Sequence, residues 1–454
     1  MPFPFYLAGK DLTEHKHVMG KTRSGKSKLL AHMAASMIMQ DMGVAVIDPA
    51  SDLATDILGL LYLRGYFTRA DAAQKLLYID FADPTRFLPF NILSQPYDPA
   101  TVASLLVEVC TRVWPSLGDG QAPLFDNIIR ASVPVLIANN LPLPVLHTLL
   151  TNKPFREHAL RNISDAKILS FFRYEFDRWG HDQIKFVGSS TRRSFLLSYM
   201  PALRYSFGQS ANFFSLRQIM DSGISVICNI GGLDEETQTM LGCVLTVLFE
   251  QEALYRAQHP SHERPPYQLI IDEFFQFCSQ SEKGLERMLA LCAKYGLTLT
   301  LCHQNWSQFS EKLQGAIQNT MSIFFKMGGI EDARWAAPIV GTFDPYEVKE
   351  VTAKTDKDLA TTPYFSEQYE VWARSLLELK ARQAYVKTGA AKYGVKITTV
   401  NVPDMQPYLP AISEIKEQYA NMLLTPLDQV QAYERQYVAA PSSSSVYRKM
   451  LLKK

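Results

Sequence analysis

The run His17-Val18-Met19 leads straight into Gly20-Lys21-Thr22-Arg23-Ser24-Gly25-Lys26-Ser27, which sets the spacing G-x-x-x-x-G-K-[ST] behind a short apolar segment. No other stretch constrains the fold as much. The glycines let backbone N–H groups curl around an oxyanion, Lys26 supplies a positive charge for the β- and γ-phosphates, and the Ser27 hydroxyl can ligate Mg2+. A helix starting at the loop adds its positive N-terminal end. Gly20, Lys21, Thr22, Arg23, Ser24, Gly25, Lys26 and Ser27 are therefore candidate contacts to a nucleoside triphosphate. A plain glycine-rich turn would leave the same trace, so an independent second site is needed.

That second site lies at Tyr267-Gln268-Leu269-Ile270-Ile271-Asp272-Glu273, where an apolar run ends abruptly in two acids. A buried parallel strand delivering carboxylates to a Mg-nucleotide has this form. Asp272 is placed to hold the metal through water, and Glu273 to polarise an attacking water as general base. Taken alone, the same residues would also suit a strand followed by an acidic helix cap. Together with the upstream loop they predict a catalytic site.

At 454 residues the chain has room for two or three domains, and 47% hydrophobic with 20% charged residues is ordinary globular composition. The six cysteines, at 110, 228, 243, 278, 292 and 302, show no C-x-x-C spacing and mostly sit in apolar runs. Reduced, buried thiols and a cytoplasmic location fit that usage better than disulfides or zinc. The N-terminus lacks a basic segment ahead of an apolar one, and no uninterrupted apolar stretch reaches about 18 residues. The expectation is a soluble protein with no transmembrane segment. A net charge of +1 makes no global case for nucleic acid, so any such contact must come from a local basic surface.

Short β-rich runs recur at 17–19, 44–48, 76–81, 224–230, 269–272, 297–302 and 322–327, with helical segments between them. This alternation predicts an α/β fold with a mostly parallel sheet covered on both faces. Gly20, Asp48, Asp272 and Gln304 all follow strand C-termini, where open α/β sheets place their ligand-bearing residues. Between 81 and 224 the strand signal gives way to amphipathic helices at 101–114, 123–139, 144–151, 164–179 and 191–203. An all-helical domain over 99–218 is thus expected as an insertion between two parts of the sheet domain, 1–98 and 219–405. Its basic residues, Arg156, Arg161, Arg173, Arg178, Arg192, Arg193 and Arg204, suit either a solvated helix face or a nucleic-acid surface. A hairpin is predicted at 384–387 with 395–400. The tail, 406–454, carries a helix at 413–423 and ends in a Ser-rich stretch with Arg448, Lys449, Lys453 and Lys454. Such an end reads as a linker with a short docking peptide or as a disordered terminus.

The segment Met288-Leu289-Ala290 leads into Lys294-Tyr295-Gly296-Leu297-Thr298-Leu299-Thr300-Leu301-Cys302-His303-Gln304. A helix, a K-Y-G turn and an apolar strand ending in Gln resemble the HerA/FtsK-like P-loop ATPases, above all the type IV coupling proteins and TraG-like conjugative-transfer ATPases. The resemblance implies that Gln304 senses the γ-phosphate and helps to place water. A neutral amide suits that task because it donates to a phosphate oxygen while accepting from water without titrating. Ile47-Asp48-Pro49 resembles the family's Asp-Pro after its second strand, and Leu88-Pro89-Phe90-Asn91-Ile92-Leu93 its F-N-P-L element. Residues 319–336 are similar to its last core strand and the turn that follows. The implied fold is a RecA-like P-loop NTPase domain with an inserted all-α domain.

Two departures stand out. Relatives often carry Arg before K-Y-G and Arg in the strand holding Phe324-Phe325-Lys326, where this chain has Ala293 and Lys326. Ring ATPases of this kind commonly complete each site with a cation from the neighbouring subunit, so Lys326, Lys294 and Arg334 are the candidates for that trans-acting role. Lys lacks the bidentate fork of Arg. The second departure is the missing N-terminal transmembrane pair typical of conjugative coupling proteins. The reading that results is a ring-forming motor, expected as a homo-hexamer, that uses ATP and Mg2+ to translocate or deliver DNA of a mobile element. The alternative is a nucleotide-dependent module that docks a relaxase, nuclease or other protein cargo without moving DNA, and a motor acting on polypeptide would share the same core motifs.

Overall fold

The computed structural model describes residues 9–114, 123–179, 183–210, 212–213, 215–275, 282–342, 365–389 and 391–438. The β-rich runs become β1 (Lys16–Met19), β2 (Gly43–Asp48), β3 (Leu76–Asp80), β4 (Arg86–Phe87), β5 (Ser225–Asn229), β6 (Tyr267–Ile271), β7 (Leu297–His303) and β8 (Met321–Phe324). β9 (Gln383–Lys387), β10 (Val395–Thr398) and β11 (Thr425–Pro426) follow. The main sheet has nine strands in the order β10-β9-β8-β1-β7-β6-β2-β5-β3, and β11 pairs with β4 apart from it. β8, β1, β7, β6 and β2 run parallel to their neighbours in that series. β9 is antiparallel to both β8 and β10, which is the hairpin expected from the sequence. Every residue of β2 and β6 is buried, and strands covered on both faces read as unbroken apolar runs for that reason.

Register decides where the chemistry emerges. Met19 at the end of β1 lies opposite His303 of β7 and Phe324 of β8, and Ile271 at the end of β6 lies opposite Leu301 of β7. Parallel strands therefore release the loop at 20–27, the acids at 272–273 and Gln304 at one edge of the sheet.

The chain folds into two compact units, Met1–Leu77 with Met220–Cys228 and Glu250–Ser413, and Tyr78–Ile219 with Asn229–Phe249 and Glu414–Lys454. In the first, helix Lys26–Met39 buries Leu30, Ala31, Ala34 and Ile38 along one face and packs on helix Asp52–Leu63. The second is dominated by helices, among them Pro99–Val113, Pro123–Ala138, Leu146–Thr151, Gln183–Tyr199, Pro201–Phe207 and Leu427–Val438. Asp98 starts the first of these by accepting from the N–H groups of Ala100 and Thr101 ahead of Pro99, and both residue types favour that position.

Two helices differ from the periodic reading. The stretch expected as one helix at 164–179 breaks into an α-turn, Ala166–Ser170, a π-helical turn, Phe171–Glu175, and a 3-10 turn, Phe176–Arg178. The π turn brings residues five apart onto one face, so that Phe171 and Phe176 meet with ring centroids 6.2 Å apart. The stretch at 191–203 divides at Met200, whose ψ of 117° is extended because Pro201 follows it.

The basic residues of the helical unit are not one surface. Arg156 is buried and donates to Asp177 and to the carbonyls of Leu149 and Leu150, while Arg204 forms a bidentate pair with Glu434. Arg193 lies over the rings of Trp114 and Phe125. Arg161, Arg173 and Arg178 are exposed, and the Arg192 side chain and the basic tail end lie outside the described residues. Cys110, Cys228, Cys243, Cys292 and Cys302 are buried and in no disulfide, and Cys278 lies outside the described residues. Among the described residues no helix is long and apolar enough to cross a membrane.

Candidate nucleotide site

The loop after β1 is fixed by backbone contacts that leave no room for a side chain at its start. A Cβ on Gly20 would lie 2.6 Å from the Phe325 Cβ. The Phe325 N–H donates to the Met19 carbonyl (2.8 Å) and the Lys21 N–H to the Lys326 carbonyl (2.9 Å), which clamps the loop to the exit of β8. At its far end Gly25 takes φ 113°, a region open to glycine, and helix Lys26–Met39 begins there. All the residues of this site belong to the first unit.

The side chains converge from three strand ends. Lys26 is buried, with its Nζ donating to the carbonyls of Gly20 (2.7 Å) and Lys21 (3.3 Å), so the ammonium sits within the curve of the loop. Ser27 Oγ donates to Asp272 Oδ2 at 3.2 Å. Asp272 Oδ1 accepts from the Glu273 N–H (3.1 Å), and Glu273 holds φ 46°, a left-handed backbone that costs about 1–3 kcal/mol in a residue other than glycine. Glu273 Oε1 in turn accepts from Gln304 Nε2 at 2.8 Å, and Gln304 Oε1 accepts from Thr22 Oγ1 at 2.8 Å. A continuous run of hydrogen bonds thus joins the phosphate loop, Gln304 and Glu273.

Burial raises the Glu273 carboxyl above its ordinary value, the Gln304 amide pulls it back, Asp272 adds repulsion and Lys26 opposes it. Asp48 is also buried, which pushes it up to about 6 against the pull of the Ala54 and Ala50 N–H groups. Its carboxylate is committed: Oδ1 accepts from Ala50 (2.9 Å) and Ser51 (3.0 Å), and Oδ2 from Ala54 (2.7 Å). Asp48 therefore shapes the turn into helix Asp52–Leu63 and reaches the site only as a nearby negative charge. The Ser27 hydroxyl and Asp272 carboxylate are hard oxygen donors side by side, a set that suits Mg2+ with water and phosphate filling its other positions. Among the described residues no group of three or more His, Cys, Asp and Glu could form a metal cage of its own.

The three cations singled out for a trans-acting role are differently placed. Arg334 is paired with Glu331 and Glu370. Lys326 lies against the loop of its own chain through its carbonyl. Lys294 is exposed, with its ammonium 5.9 Å from the Tyr295 ring centroid.

The structure adds a pair of histidines beneath the site. His17 and His303 are fully buried, joined through their Nε2 atoms, and His303 Nδ1 faces the Asn305 carbonyl at 3.0 Å. Burial pushes His303 down to about 3, and burial together with its neighbour His303 drives His17 well below its usual value. Trp306, Phe309, Phe324 and Trp335 pack around them. Their adjacency to Gly20 and Gln304 is visible in the sequence, but their pairing depends on β1 and β7 being neighbours.

The segment 187–324, which contains the acids and Gln304, matches the family described as Type IV secretory system Conjugative DNA transfer. No curated protein matches this chain in sequence. In fold it is similar to the bacterial conjugative coupling protein TrwBdeltaN70 in its unbound monoclinic form, at 14% identity and TM-score 0.56, covering 87% of each chain. TrwB in complex with ADP and Mg2+ is similar at 14% identity and TM-score 0.54, over 87% of this chain and 86% of that one. VirB4 of Thermoanaerobacter pseudethanolicus shares 13% identity at TM-score 0.52, over 85% and 89% of the two chains. The mostly parallel sheet with its helical unit is the fold of a RecA-like P-loop NTPase. A family match on the segment that holds Asp272, Glu273 and Gln304 and a fold shared over most of the chain bear out the resemblance to the type IV coupling proteins and TraG-like transfer ATPases that the motifs carry.

Proposed function

We propose that this chain is an ATP-hydrolysing motor that assembles as a ring, a homo-hexamer, and moves DNA during conjugative transfer. The observation that carries this reading is the hydrogen-bonded series Thr22–Gln304–Glu273 over a loop that encloses Lys26. It links the place where the triphosphate would sit to the carboxylate that would activate water.

In this reading the loop N–H groups and Lys26 hold the β- and γ-phosphates, while Ser27 and Asp272 hold Mg2+. Mg2+ bound there would offset charge on the phosphate oxygens. Glu273, ionised and half-buried, accepts the proton of the attacking water at one of its carboxylate oxygens. Gln304, its Oε1 kept on the Thr22 hydroxyl, directs its amide N–H groups at Glu273 and the γ-phosphate and so helps to place that water. Among the three cations considered for the neighbouring subunit's site, Lys294 fits best, because it is exposed and has no carboxylate partner among the described residues, whereas Arg334 is held by two. TrwB with ADP and Mg2+ supports the choice of nucleotide and ion.

Hydrolysis by the purified protein, with and without single- and double-stranded DNA, tests the proposal. ATPase activity stimulated by DNA is expected, with Lys26→Ala losing nucleotide binding and Glu273→Gln binding ATP but slowed about 10²–10⁴-fold. Hydrolysis indifferent to DNA, with ATP-dependent binding of a protein cargo in its place, would favour a recruitment role.

A further inference from the structure

A cation not singled out by any motif lies against the phosphate loop. Arg382 sits just ahead of β9, and its N–H donates to the Ser24 carbonyl at 3.1 Å. Its Cα and N both lie 3.5 Å from where a Cβ on Gly25 would be. Arg382 also adopts φ 66°, a conformation that L side chains rarely take and that glycine or asparagine would adopt more easily. The Thr399 N–H donates to its carbonyl at 2.8 Å, so both sides of the residue are pinned. The side chain is exposed and has no acceptor among the described residues.

An exposed arginine is most often a solvated surface residue, and that accounts for its exposure. It does not account for an arginine kept in a left-handed backbone that is tied to a phosphate loop. Strained positions of this kind persist where the surrounding structure fixes them, and they concentrate at ligand sites. Glu273, with φ 46°, is a second such residue at the same site. Arg382 also adds charge where charge of that sign already collects: Lys21, Arg23 and Lys26 are all in the loop, and Lys326 adjoins it. A guanidinium with no carboxylate partner among the described residues, carried on a backbone tied to a loop of that charge, is suited to a polyanion.

We propose that Arg382 is a nucleotide-binding residue that contacts the polyphosphate of the nucleotide held by its own subunit, supplying an arginine from the turn just ahead of β9. This rests on the nucleotide-site reading above. It also gives the β9–β10 hairpin a role, since ordering around a bound polyphosphate would pass through Arg382 into that edge of the sheet.

Equilibrium binding of Mg-ATP and Mg-ADP to the full chain, by calorimetry or with a fluorescent ATP analogue, tests the proposal alongside thermal unfolding without nucleotide. Arg382→Gln and Arg382→Gly are expected to raise the Kd at least tenfold, with Arg382→Lys between them and wild type. Arg382→Gly should keep or raise the melting temperature, because glycine relieves the left-handed backbone, so binding and stability move in opposite senses. Wild-type affinity in the Gln and Gly variants, while Lys26→Ala fails to bind, would overturn the role of Arg382 and leave the site reading intact. Failure of the wild-type protein to bind either nucleotide would overturn both.

Discussion

Thr22 occupies an unspecified position of the loop motif, yet its hydroxyl is what fixes Gln304. With Gln304 Nε2 directed at the Glu273 carboxylate, Oε1 must face a donor, and the Thr22 hydroxyl is that donor. Thr22→Val removes one neutral hydrogen bond, which amounts to about 0.5–1.5 kcal/mol, so we expect kcat to fall roughly 2- to 12-fold. Thr22→Ser keeps the hydroxyl and should restore the rate, and steady-state kinetics of the two variants checks this. Glu273 supplies a pH test. Burial raises its carboxyl, so hydrolysis should fail on acidification at a pH above the ordinary glutamate value, once Glu273 takes up a proton. The Gln304 amide opposes that rise, and Gln304→Ala should therefore move the acid limb of the rate profile further upward as well as lowering the rate.

At the scale of elements, β1 and β7 are joined by side chains that tolerate no charge. His17 and His303 meet through Nε2, which requires one donor and one acceptor, so protonating both rings would set two N–H groups face to face, and even one proton would place a charge in a fully buried site. Folding holds both below their ordinary value, so as the pH falls below 6.5 the unfolded chain binds protons that the folded chain refuses, for His303 down to about pH 3. Stability from this pair is complete above pH 6.5 and is lost as the pH falls. Between pH 7.5 and 5 the loss from His303 should be about 2 kcal/mol, visible as a drop in the thermal midpoint, with His17 shifting stability in the same direction, and His303→Asn should make that pH dependence shallower. Helix Pro99–Val113 offers a simpler case. Asp98→Ala should cost about 1 kcal/mol in denaturant unfolding, because Ala100 and Thr101 lose their side-chain acceptor. Elements were legible where one period governs them. The buried strands β2 and β6 showed as apolar runs, whereas the π turn at Phe171–Glu175 did not show, because it follows from which aromatic rings must share a face.

For the whole molecule, the parts of the site that the sequence disclosed are those whose chemistry forces a local pattern. A loop around phosphate needs Gly20, Gly25 and Lys26 at fixed spacing, and acids delivered by a buried strand must follow it at once, as Asp272 and Glu273 do. Residues that matter through adjacency left no such mark. Asp48 looked like a ligand at a strand end, but three backbone N–H groups occupy its carboxylate. Arg156 and Arg204 looked like surface charge and are engaged by Asp177 and Glu434. Arg382 is far from the loop in sequence and comes to it only because β9 joins the sheet beside β8, whose exit clamps the loop. The central claim is that this assembled site drives movement of DNA. The most direct measurement is the rate of ATP hydrolysis by the full chain as DNA is added, with Glu273→Gln measured in parallel. The account predicts hydrolysis that rises with DNA and is abolished by Glu273→Gln. An absence of hydrolysis under every condition, or a rate that neither DNA nor that substitution changes, would contradict it.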